Sequence, residues 1–197
     1  MISVHSAVEK QIKNKKPGAI IFPADFRGLG TEAAVKMTLV RLVKEGMLNK
    51  LGHGIYLLPK KDPLFGDLLP SPVEVAEAIA KKDKVRIKPA GAYALHKLGL
   101  TTQIPMKLVY LTDGPPRQIT IGKTVLKFKA TTPKKMAMKG KYSGLIIQAV
   151  EELGVENIDA ETESKITELL RKESPKVLRE DLRLAPAKVN DYLIKRM

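Results

Sequence analysis

The spacing of apolar residues changes repeatedly along the first sixty positions, and each change predicts an element. Val4, Val8 and Ile12 recur at every fourth position, which predicts a helix over residues 3–16 stopped by Pro17-Gly18. Ala19-Ile20-Ile21-Phe22 is a short apolar run that reads as a strand, and Pro23-Ala24-Asp25-Phe26 opens a very short helix closed by Gly28 and Gly30. Thr31 suits the N-cap of a helix over 32–45, and Gly46 is placed to end it. Val35, Leu39, Leu42 and Val43 share one face of that helix, while Lys36, Met37, Arg41 and Lys44 point largely elsewhere. A hairpin follows: Leu48–Leu51, a tip of Gly52-His53-Gly54, and Ile55–Leu58, with both glycines expected to supply positive φ. Pro59-Lys60-Lys61-Asp62-Pro63 reads as a stiff polar exit, and the domain boundary is placed there.

Beyond it the pattern is mixed. Ser71-Pro72-Val73-Glu74 joins an N-cap serine, a proline at the first helical position and a glutamate three residues after the cap, which starts a helix running to about Lys82. Val85–Lys88 reads as a strand and residues 90–98 as a short helix stopped by Gly99. Leu108–Thr112, Arg117–Ile121 and Thr124–Lys129 are three β segments, punctuated by Asp113-Gly114-Pro115 and Gly122-Lys123. Residues 143–153 are helical. From about 160 onward two or three amphipathic helices are broken at Ser174-Pro175 and Ala185-Pro186. The fold class is therefore α+β: a winged helix-turn-helix over 1–61, a mixed α/β domain over 62–154 and a helical extension over 155–197.

Charge sharpens this picture. The net +14 divides as +7 over residues 1–61, +9 over 62–150 and −2 over 151–197, so two basic regions precede a slightly acidic tail. Such a surface concentrates polyanions near it. No apolar run approaches the ~20 residues of a membrane span, and no apolar stretch follows Met1 as a signal peptide requires. With no cysteine, neither disulfides nor thiolate zinc sites are expected. These features predict a cytoplasmic protein with no membrane partner, no metal and no cofactor.

Motifs for catalysis fail on inspection. Gly122-Lys123-Thr124 mimics the end of a phosphate-binding loop, but position 117 is arginine and a strand follows, so the segment reads as a hairpin turn. Asp113 lies in a turn without a second carboxylate near it in sequence. His5, His53 and His96 have no metal-ligand neighbour at helical spacing. Ser143 is not in a nucleophile elbow and has no identifiable base. The chain is not expected to be an enzyme.

Helix, strand, short helix, longer helix and hairpin is the order of a winged helix-turn-helix. The helix over 32–45 has an apolar side to seat it and an outer side able to enter a major groove. Thr31, Lys36, Met37, Arg41 and Lys44 are the candidate DNA contacts on it: Arg41 suits guanine or phosphate, and the lysines and Thr31 suit phosphates. Lys50 and His53 of the wing are placed for flanking backbone or minor groove. A second basic stretch runs from 123 to 141 without an acidic residue. Lys127, Lys129, Lys134, Lys135 and Lys139 form its candidate polyanion surface, with Lys127 and Lys129 on one sheet face and Phe128 beneath.

Three strings in the first part, Phe22-Pro23-Ala24-Asp25-Phe26, Arg41-Leu42-Val43-Lys44-Glu45-Gly46 and Gly54-Ile55-Tyr56, resemble the N-terminal domain of AbiEi-type antitoxins. Gly91–Ala94, Leu98–Pro105, Val109–Gly114 and Thr131-Thr132-Pro133 resemble the second domain of the same group. The resemblance spans roughly residues 3–153 and leaves the tail outside. It implies an antitoxin of a type IV toxin–antitoxin system that represses its own promoter as double-stranded DNA. It also implies opposition to a nucleotidyltransferase-like toxin, through the toxin itself or its RNA target. The alternative is a winged-helix transcriptional regulator whose C-terminal domain senses a ligand or dimerises.

Overall fold

The structure, a computed structural model, describes residues 3–197 of the chain. It is a mixed α+β protein whose described residues divide into two compact units, Met1–Ile79 with Ile119–Gly122, and Ala80–Gln118 with Lys123–Met197.

In the first unit, α1 (Val4–Lys13) starts where Ser3 accepts the amide of Ser6. Strand β1 (Ile20–Ile21) leads into a 3-10 turn over Pro23–Phe26, whose Asp25 carboxylate accepts the Phe22 amide at 3.0 Å. Helix α2 (Glu32–Lys44) follows, then β2 (Asn49–Gly52) and β3 (Ile55–Leu57). The strands form an antiparallel sheet in the order β1-β3-β2. Val8 and Ile12 of α1, Ile21, Phe26, Val35, Leu39, Leu42 and Tyr56 meet in one buried core, so the apolar stripes read from sequence are the packed faces. Gly30 lets α1 come close, since a Cβ there would lie 2.6 Å from a methyl carbon of Val4.

Two expectations need correction here. Of the two glycines at the β2–β3 tip only Gly54 has a positive φ, +66°. Gly52 pairs with Ile55 across a two-residue tip, so a single left-handed residue closes the turn. The supposed polar exit is itself a hairpin, β4 (Lys60–Asp62) paired with β5 (Gly66–Leu68). Its turn is held by Asp62, whose carboxylate accepts the amides of Leu64 and Phe65. The boundary drawn after residue 61 thus lies inside the first unit, which ends within α3 (Pro72–Asp83). Ser71 and Glu74 start that helix reciprocally: the serine hydroxyl accepts the Glu74 amide, and the Glu74 carboxylate accepts the Ser71 amide at 2.7 Å. That hydrogen bond holds the Glu74 carboxyl below the usual range.

In the second unit the helix ends at Lys84, which takes a left-handed φ of 56°, while the Val85 amide returns to the Ala80 carbonyl. Strand β6 therefore begins only at Ile87 (Ile87–Ala90), two residues later than expected. Helix α4 (Ala92–Lys97), β7 (Lys107–Thr112), β8 (Arg117–Ile121), whose residues from Ile119 on belong to the first unit, and β9 (Thr124–Ala130) follow, with the strands in the order β6-β7-β9-β8. β6 and β7 are antiparallel, and β7 and β9 run parallel, with Tyr110 beside Phe128. Tyr93, Tyr110 and Phe128 are buried together on one sheet face, ring to ring. A five-residue helix α5 (Pro133–Ala137) follows, started by proline after Thr132, which the apolar pattern of the sequence does not predict. Helix α6 (Ser143–Leu153) then packs with α7 (Ala160–Arg171), α8 (Pro175–Leu182) and α9 (Ala187–Ile194). Ile146, Ile147, Val150, Ile166, Leu178 and Leu193 share that core, so the tail is folded onto the unit. No helix among the described residues is long and apolar enough to cross a membrane.

Candidate nucleic-acid interface

Helix α2 divides cleanly into two sides. Val35, Thr38, Leu39 and Leu42 are buried, and Thr31, Lys36, Met37, Arg41 and Lys44 are exposed. The cause is the 3.6-residue period: buried positions 35, 38, 39 and 42 follow i, i+3, i+4 and i+7. Thr31 is the N-cap in fact, its hydroxyl accepting the Ala34 amide at 3.2 Å. Lys36 lies 2.6 Å from Glu32, a solvent-exposed i,i+4 pair. The lysine holds the Glu32 carboxyl below its usual range, chiefly by that hydrogen bond. Such exposed pairs contribute little and exchange readily. Among the described residues the Arg41 and Lys44 side chains make no ion pair or hydrogen bond.

The β2–β3 hairpin carries its candidates outward too. Lys50 and His53 are exposed, His53 at the tip beside Gly54, and the hairpin is anchored by buried Ile55, Tyr56 and Leu57. Burial pushes the Tyr56 hydroxyl up. Val40, left out of either side in the sequence reading, is 40% exposed on the outer face next to Met37 at 55%. Counting from Met37, position 40 is i+3, the signal that would have placed it there.

The second basic stretch is less uniform. Lys129, Lys134 and Lys139 are exposed and Lys127 is half-buried, while Phe128 is buried on the opposite sheet face. Lys135 is different, because both Glu151 oxygens accept from its amine at 2.8 and 2.9 Å. Gln148 donates to the same carboxylate. Lys135 is therefore a tie between α5 and α6, and not a free cation of an open face.

Two carboxylates of the tail fix the loop between these helices. Asp181, 1% exposed, accepts the Lys139 amide on one oxygen and the Gly140 amide and Ser143 hydroxyl on the other, at 2.8, 2.8 and 2.5 Å. Glu173 accepts the Tyr142 and Ser143 amides. A Cβ at Gly140 would fall 1.9 Å from the Ser143 hydroxyl oxygen, so only glycine lets the loop approach so closely. On the other side the Lys88 amine donates to the carbonyls of Lys135 and Met138, and burial lowers its pKa. Sequence spacing carried no sign of this node. Its partners lie 30 to 50 positions apart.

The chain belongs to DUF6088, a family of unknown function whose model matches residues 7–178. No curated protein matches it. Among solved structures, the crystal structure of the Rv2827c protein from Mycobacterium tuberculosis aligns at 13% identity with a TM-score of 0.44. That alignment covers 100% of this chain and 83% of the other.

Proposed function

We propose that this DUF6088 chain is a DNA-binding antitoxin and autorepressor, in which residues 3–58 act as a winged helix-turn-helix on duplex DNA. The observation that carries the reading is the outer face of α2, where Arg41 and Lys44 stand exposed and unpaired beside Lys36. The β2–β3 hairpin that follows presents Lys50 and His53 from a rigid base. In this reading α2 enters the major groove, the helix N-terminus at Thr31 faces a phosphate, and the wing touches the flanking backbone. The second unit opposes the toxin through Lys129, Lys134 and Lys139, with Lys127 beside them. No catalytic role is proposed for any residue.

Titration of the full chain against labelled duplex from immediately upstream of its gene tests the DNA half. Affinity should fall steeply with salt, because each neutralised phosphate releases counterions. A flat response would refute it. Co-expression with a nucleotidyltransferase-like toxin encoded beside its gene, the partner this reading requires, tests the other half by cell survival. A second reading, a regulator whose second unit takes a small ligand, is favoured by one feature: the groove where Ala90, Gly91, Lys129, Thr131, Gln148 and Glu152 converge. Survival that does not depend on this chain would favour that reading.

A further inference from the structure

The outer face of α2 is more specific than a basic surface. At about 100° per residue, Ala33, Met37, Val40 and Lys44 fall within an arc of roughly 60°, with Lys36 on one side and Arg41 on the other. All six are exposed. The face is thus apolar at Ala33, Met37 and Val40, bordered by Lys36 and Arg41 and closed one turn further on by Lys44. Met37 and Val40, 55% and 40% exposed, stand side by side on this face between the cations.

This inference rests on the duplex-binding reading. We propose that α2 reads thymine, with the Met37 and Val40 side chains packed against thymine 5-methyl groups in the major groove. The thymine methyl is the one apolar group that a base pair presents in that groove. Met37 and Val40 are three residues apart, an axial rise of about 4.5 Å, comparable to the 3.4 Å step between base pairs. The two side chains therefore suit methyls on adjacent or next-adjacent pairs. Lys36 reaches a phosphate on one side, Arg41 a guanine edge or a phosphate on the other, and Lys44 a phosphate beyond the C-terminal end of the pair. Methionine is unbranched and fills irregular gaps, which suits contact with a methyl beside a stacked base.

Charge separates this occupant from a second copy of the chain. A self-complementary contact would bring the same face of two molecules together, and with it Lys36, Arg41 and Lys44 of each against their equivalents. A groove lined by phosphates offers those cations the opposite sign.

The test compares two duplexes of the DNA immediately upstream of the gene, one made with thymidine and one wholly with deoxyuridine, which lacks only the methyl. Full-length protein should bind the deoxyuridine duplex about fourfold more weakly for each methyl contacted, the value of one buried carbon. The variant Met37→Ala with Val40→Ala should bind both duplexes alike, at about the affinity the parent shows for deoxyuridine DNA. Both residues are exposed, so the variant keeps its fold, checked by circular dichroism. Equal affinity of the parent for both duplexes, with steep salt dependence kept, overturns thymine reading and leaves duplex binding standing. Absence of salt-dependent binding to either duplex overturns both. Discrimination that persists in the variant also overturns the assignment to these residues. So does a change of oligomeric state in the variant, by sedimentation, when the parent binds the two duplexes equally.

Discussion

Replacing Asp181 by alanine should be the most damaging single change in the tail, and its size can be worked from the geometry. The side chain is 1% exposed and accepts three hydrogen bonds, from the Lys139 and Gly140 amides and the Ser143 hydroxyl. A donor left without a partner costs roughly 1–3 kcal/mol, towards the upper end for the buried Ser143 hydroxyl and the lower end for the part-buried Lys139 and Gly140 amides. The three are neighbours and will not add fully, and the serine hydroxyl can rotate towards another acceptor. A net loss of about 4 kcal/mol is expected. For a protein of this size each kcal/mol lowers Tm by about 2–4 °C, so thermal melting followed by circular dichroism should shift down by about 8–16 °C. Asp181→Asn keeps the volume and one acceptor but turns an amide N–H towards a donor, and should lose about half as much. A site-specific assay accompanies the melt: trypsin should cut faster after Lys139 and Lys141, because the loop backbone is no longer fixed. An Asp181→Ala variant melting within about 2 °C of the parent would refute the account, since it would mean that those donors find water at little cost.

Other outcomes follow from the same structure. Arg41→Ala should weaken promoter binding by about 1–3 kcal/mol if the guanidinium reads a base, measured by anisotropy at fixed salt. In the proposed antitoxin reading, changing Lys129, Lys134 and Lys139 together to glutamate should abolish protection from the toxin while leaving Tm nearly unchanged. Lys135→Glu alone should lower Tm, because it sets a second carboxylate against Glu151. The Asp113 carboxyl is held below its usual value first by the hydrogen bond from the Arg86 side chain and then by the Arg86 amide. A depressed folded value means that its stabilisation is present above the unfolded pKa of about 3.9 and is lost as pH falls through the folded one. Asp113→Asn should therefore flatten the decline of stability below about pH 4, as followed by acid titration.

What was legible in the sequence is what neighbours in the chain decide. Thr31 before Glu32 and Ser71 before Glu74 announced their caps, and the hydroxyls occupy them. The inner side of α2 followed from a period that the helix itself enforces. The β4–β5 hairpin was misread because Pro59 and Pro63 look like breakers. The proline falls in the turn, where it interrupts no ladder, and Asp62 supplies the turn's acceptor. Helix α5 was hidden by its shortness, although Thr132-Pro133 is a helix start. Lys135 counted as a free cation because its acid, Glu151, is sixteen residues away and comes beside it only when α5 meets α6. Local chemistry reads from local sequence; a partner across the fold does not.

The two carboxylates that hold the basic loop have a consequence for the order of synthesis. Residues 139–143 leave the ribosome ahead of Glu173 by about thirty positions and ahead of Asp181 by about forty. At roughly 5–20 residues per second, several seconds can pass in which the loop amides have only water as acceptor. A nascent or prematurely ended chain can complete the α2 surface and its core while the lysine loop stays unfixed. Competence of the first unit and competence of that loop therefore arise at different moments in the life of each molecule. A chain clipped before residue 173 returns the loop to its newborn condition.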